Sequence, residues 1–126
     1  MAIPAATAPH VIDAYGGGGF RVDSEVHRGS IIVLPDRVVG WMASDLASVT
    51  IESLQPVIDA AGEVEILLIG TGARFSLVSP ALRQALRDRG VAADAMDTGA
   101  ACRTYNILRA EGRHVAAALI AVGSAT

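Results

Sequence analysis

The alternation of short apolar runs with capped helical segments over residues 64–122 constrains this fold more than any other feature. Val64–Ile69 reads as a buried strand carrying Ile66-Leu67-Leu68-Ile69, and Gly70-Thr71-Gly72 ends it. Ser79 then caps a helix whose first position is Pro80, where a missing N–H costs nothing. That helix runs to Arg89, and Gly90 is its stop signal. Val91–Met96 is the next strand, ended by Asp97-Thr98-Gly99. Ala100–Glu111 follows as a helix with Ala101, Tyr105 and Leu108 on one face, and Gly112 closes it. Val115–Val122 is the last strand. A strand–helix–strand–helix–strand series predicts parallel pairing around at least one right-handed crossover.

The first third reads differently. Val11–Tyr15 is short and apolar, and Gly16–Gly19 follows as a loop or bent turn, because four glycines are entropically expensive anywhere else. Phe20–Val22 and Val26-His27 are weak strand candidates around Asp23-Ser24. Ser30–Leu34 and Arg37–Met42 form a hairpin through Pro35-Asp36. Ser44–Ser48 connects onward. Thr50–Ala61 reads as a helix capped by Thr50 or Ser53, with Ile51, Leu54, Ile58 and Ala61 at helical spacing. The expectation is one α/β domain over residues 11–126, preceded by a flexible arm over residues 1–10.

With 126 residues, 52% of them hydrophobic, the chain buries a core without a metal or disulfide staple. The longest apolar run, Val115–Val122, is too short for a spanning helix. The net charge of −3, with 10 basic residues spread along the chain against 13 acids, gives no basic stripe and argues against nucleic acid. The densest basic group, Arg83, Arg87 and Arg89, reads as a solvated helix face. Every basic residue is arginine, which together with the alanine content reads as a GC-rich bacterial coding bias. The first residues lack the charged n-region and apolar core of a signal peptide, so a cytoplasmic protein is expected.

Few residues carry chemistry. Cys102 is the only cysteine, so no internal disulfide forms. Its place early in a helix beside Arg103 would lower a thiol pKa, whereas a buried core position would make it inert. His10, His27 and His114 show no metal-ligand spacing. Trp41 reads as core or interface. Arg113 is expected to meet the last helix carbonyls or Glu111. Met96-Asp97-Thr98-Gly99-Ala100 has the Asp-Thr-Gly of aspartic proteases, but a helix follows it where that fold continues as β structure. Gly70-Thr71-Gly72 lacks the third glycine of a dinucleotide fingerprint and the lysine of a P-loop.

Parallel strands would put Gly70-Thr71-Gly72 and Asp97-Thr98-Gly99 at the same carboxyl end of the sheet, where open α/β sheets bind ligands. Thr71 and Thr98 would offer hydroxyls there, and the following helix its free N–H groups. The alternative is that the glycines only allow tight turns and Thr98 only caps its helix.

The run Met96-Asp97-Thr98-Gly99-Ala100-Ala101-Cys102-Arg103-Thr104-Tyr105-Asn106-Ile107-Leu108, with Glu111-Gly112-Arg113 and Val115–Leu119 after it, resembles a known family. So do Leu67–Gly72 and Ile12–Phe20 upstream. The family is the uncharacterised-domain family that includes mitochondrial respiratory complex I (NADH dehydrogenase) assembly factor three and the adipogenesis-associated relatives. The match covers nearly all of the chain after its first ten residues.

This resemblance implies three layers: a mixed central sheet, helices, and a small β layer built from the N-terminal hairpins. It supplies no reaction. It implies a non-enzymatic protein-interaction or assembly factor whose partners are other proteins, respiratory complex or membrane-assembly subunits among them. The second reading is a small-molecule or anion-binding domain, or an enzyme, using the cleft between the two loops. Gly70, Thr71, Gly72, Asp97, Thr98, Arg103, Thr104 and Asn106 would line that cleft. Neither reading calls for a catalytic residue that can be named, a metal or a cofactor.

Overall fold

A computed structural model describes residues 10–123. Of the expected arm, only His10 falls within them. Eight strands form two sheets. β1 (Ile12–Gly16), β2 (Gly19–Val22) and β3 (Glu25–Arg28) make a small antiparallel sheet in that order. β4 (Ile31–Val33), β5 (Val38–Gly40), β6 (Ile66–Gly70), β7 (Ala92–Met96) and β8 (Val115–Leu119) make the main sheet, in the order β5-β4-β8-β6-β7. β4 pairs antiparallel with both β5 and β8, while β6 is parallel to β7 and β8. The sheet is therefore mixed, as the family resemblance implied.

The turns account for the small sheet. Gly16, Gly17 and Gly18 all take positive φ, and the hairpin closes between Gly16 and Gly19. Asp23 and Ser24 both take positive φ, 52° and 71°, which joins β2 to β3 with the twist a two-residue hairpin needs.

Helices cover both faces of the main sheet. α1 (Gln55–Asp59) and α2 (Pro80–Asp88) pack on one face, α3 (Thr98–Ala110) and the small sheet on the other. The central strand β8 shows why both faces need cover. Ala116, Ala118 and Ile120 enter the core with Leu54, Val57 and Leu86, whereas Val115, Ala117 and Leu119 enter the core with Phe20, Ala101 and Tyr105. A strand buried on both sides loses the polar alternation of a half-exposed one.

Three local expectations change. Thr50–Ala61 is not one helix: a 3-10 turn at Glu52–Leu54 leads into the five-residue α1, and a second turn follows at Ala61–Glu63. Pro56 accounts for the break, because it can sit only in the first turn of α1 and offers no N–H to the turn before. α3 begins two residues early, at Thr98, because Asp97 is its cap: the carboxylate accepts from the Ala100 N–H at 2.9 Å. Arg113 pairs with Glu65 at 3.6 Å rather than with Glu111. Among the described residues, no helix is long and apolar enough to cross a membrane.

Candidate functional site

β6 and β7 lie side by side, with Gly70 opposite Met96. The chain leaves β6 for α2 on one face and leaves β7 for α3 on the other. Adjacent parallel strands whose connections diverge in this way make the crevice where α/β sheets usually bind ligands. The two loops meet there, as the sequence expectation required.

They meet closely enough to bond. Thr71 N–H donates to the Met96 carbonyl at 2.9 Å, and Thr98 N–H donates to the Gly72 carbonyl at 2.9 Å. The Thr98 hydroxyl accepts from Gly72 N–H at 2.9 Å and donates to the Ile120 carbonyl at 2.8 Å. It therefore ties β6, α3 and the end of β8 together from a fully buried position. Gly70 allows this approach. A Cβ there would stand 2.9 Å from the Thr98 hydroxyl oxygen and 3.1 Å from the Thr98 Cα, so any side chain would separate the loops. Thr71 is also committed: its hydroxyl donates to the Arg74 carbonyl at 2.7 Å and accepts from Ser76 N–H at 3.1 Å.

Arg103 and Asn106 lie further along α3, beside β1. With Ile12, Asp13, Tyr15 and Cys102 they line a groove of about 390 Å³. Asn106 acts as a substitute strand on the outer edge of β1. Its carbonyl oxygen accepts from Ile12 N–H at 2.9 Å, and its amide donates to the Ile12 carbonyl at 3.0 Å. That satisfies backbone groups an edge strand would otherwise leave open. Arg103 is exposed, and Thr104 is half-buried and not among the residues lining the groove. Seven of the eight expected site residues thus fall in a bonded loop junction or in a separate groove, Thr104 joins neither, and among the described residues Arg103 makes no ion pair.

Cys102 is buried, and burial pushes its thiol up to about 12. The Arg103 charge pulls the other way without overcoming it, and Asp97 adds to the rise. Desolvation decides between the two sequence readings in favour of an inert core residue. Native protein at pH 8 is expected to react with iodoacetamide at least ~100-fold more slowly than protein in denaturant. Equal rates would show that the first turns of α3 open readily.

Sequence reasoning missed Tyr15, whose ring covers Gly99 so closely that a side chain there would collide with its hydroxyl. It also missed Arg21 and Arg28, which the hairpin register brings to one face. The alternation of Gly19-Phe20-Arg21 and Val26-His27-Arg28 about Asp23-Ser24 carried that signal. Among the described residues, no three of His, Cys, Asp and Glu group so as to hold a metal ion.

The model of the family described as "Protein of unknown function (DUF498/DUF598)" matches residues 12–120. A Danio rerio protein named NADH dehydrogenase [ubiquinone] 1 alpha subcomplex assembly factor 3 is 35% identical over 91% of this chain and 66% of its own. The chain therefore spans just under two thirds of that relative. An uncharacterised Rhodobacter capsulatus protein is 38% identical over 86% of this chain and 82% of its own. Among solved structures, one described as an outer membrane protein from Bartonella henselae is 42% identical, with a TM-score of 0.85 over 92% of this chain and 98% of its own.

Proposed function

The chain belongs to the DUF498/DUF598 family, and from that premise we propose that it acts in the cytoplasm as a non-enzymatic factor that binds subunits of a respiratory or other membrane complex during assembly. The observation that carries this reading is the alignment of nearly the whole chain with relatives named as assembly factors of NADH dehydrogenase. The surface supports it. In the loop between β6 and α2, Phe75 is 55% exposed and Leu77 79% exposed. Large apolar side chains held out in water on one short loop suit burial against a partner.

The test is affinity capture of the tagged chain from its own cells in mild detergent, beside a Phe75→Ser, Leu77→Ser variant. Enrichment of NADH dehydrogenase or other membrane-assembly subunits is expected, falling about tenfold in the variant if two buried side chains supply the contact. Capture that the variant does not reduce would move the interface elsewhere. Absence of any enriched subunit would overturn the interaction reading.

A second reading, a small-molecule or anion-binding domain or enzyme, is favoured by one observation: the two loops leave adjacent parallel strands toward opposite faces. A ligand in that crevice would have to compete with the internal bonds of Thr71 and Thr98. A thermal shift given by anionic metabolites to the native protein and lost in Thr98→Val would support that reading.

A further inference from the structure

The small sheet turns Phe20 and Val22 into the core, which leaves its other face to solvent. The register fixes what that face presents. One row across the three strands reads Gly16, Gly19, Arg28, and the next reads Ala14, Arg21, Val26. The first row has no side chain at two of its three positions. A concavity of about 300 Å³ lies over these residues, with backbone as its floor. Ala14 and Val26, the latter 66% exposed, line it as well, whereas Tyr15, opposite Phe20, turns its ring toward Gly99 of α3.

Arg21 and Arg28 are diagonal neighbours on adjacent strands, about 7–8 Å apart. Two guanidinium groups on one face at this spacing can both reach an anion held between them. The nearby carboxylates do not serve. Asp23 is bonded to His10 at 2.5 Å and to the Val11 N–H at 2.9 Å. Asp13 accepts from the Ser24 N–H at 2.7 Å. Glu25 pairs with Val22, on the opposite face. Among the described residues, neither Arg21 nor Arg28 makes an ion pair. In a chain of net charge −3, this is a local concentration of unpaired positive charge over an open backbone floor.

We propose that this face binds a small organic oxyanion, a phosphate or carboxylate carried on an aromatic or other apolar body. The guanidinium groups of Arg21 and Arg28 would hold the oxyanion through paired N–H donors, and Ala14 and Val26, from the same face, would pack against the body. The site is independent of the loop crevice and of the exposed Phe75 and Leu77.

Amide chemical-shift mapping of the full chain tests it, with phenyl phosphate, benzoate, inorganic phosphate and phenol as probes. Phenyl phosphate or benzoate is expected to perturb amides 14–21 and 26–28 in the millimolar range. Their relative strength identifies which oxyanion the pair prefers. Inorganic phosphate and phenol should each bind at least about tenfold more weakly, since each lacks one half of the recognition. The Arg21→Gln, Arg28→Gln variant changes exposed residues, keeps the fold, and should weaken binding by at least about tenfold. Three results would overturn the assignment: no perturbation by either organic anion, binding unaffected by the double variant, or shifts centred on Arg103 in the neighbouring groove.

Discussion

Replacing Tyr105 with alanine is expected to lower the unfolding free energy by about 3–5 kcal/mol, the range for removing a large buried aromatic side chain. Tyr105 is fully buried in the core between α3, the main sheet and the small sheet. It shares that core with Ile12 and Phe20 from the small sheet and with Leu68 and Ala117 from the main one. No single element can collapse into the cavity without pulling away from another. Urea denaturation checks this, with the m value compared to confirm that the variant still unfolds as one unit.

Tyr105→Phe isolates the hydroxyl. That group is buried, with no hydrogen-bond partner among the described residues. Burial pushes its pKa up to about 12, against the pull of Arg109. Removing an unpartnered buried hydroxyl removes a desolvation cost, so the variant should lie within about 1 kcal/mol of the native protein or above it. A loss near that of the alanine variant would mean that the hydroxyl, not the ring, carries the role of Tyr105.

These expectations rest on tertiary placement that only partly shows in the sequence. Gly16–Gly19 and Asp23-Ser24 marked turns between short strand candidates, because only certain residues tolerate those backbone angles. Ser79-Pro80 and Gly90 bounded α2 for the same kind of local reason. The position of β8 between β4 and β6 was not legible. Val115–Val122 is apolar on both faces, so it suits any central place in a sheet, and long-range pairing selects one. Asn106 looked like a ligand residue because it is a polar side chain in the Thr104-Tyr105-Asn106 run that carries the family resemblance. Its partner is the backbone of Ile12, which lies 94 residues away in sequence. Asp97 and Thr98 were legible as a loop, but their roles were not separable. Either can cap a helix, and only the neighbouring Gly72 and Ile120 show that Thr98 is used otherwise.

Thr98→Val should therefore destabilise the fold by about 2–4 kcal/mol, because it keeps the shape and leaves two buried backbone groups unpaired. The Gly72 N–H loses its acceptor, and the Ile120 carbonyl loses its donor. Both lie where water enters only if the loops part. Thr98→Ser keeps both bonds and loses one methyl, so it should cost about 1 kcal/mol. Asp97→Ala removes the helix cap, a separate interaction worth about 1 kcal/mol. Chemical denaturation of the three variants thus ranks valine well below the other two. If Thr98 instead offers its hydroxyl to a ligand, the free protein should tolerate valine, and the loss should appear only in the thermal shift given by anionic metabolites. A large loss in the free protein assigns the hydroxyl to holding β6, α3 and β8 together. It also explains why position 70 is a glycine: the loops approach too closely there for a side chain because Thr98 bonds across the gap.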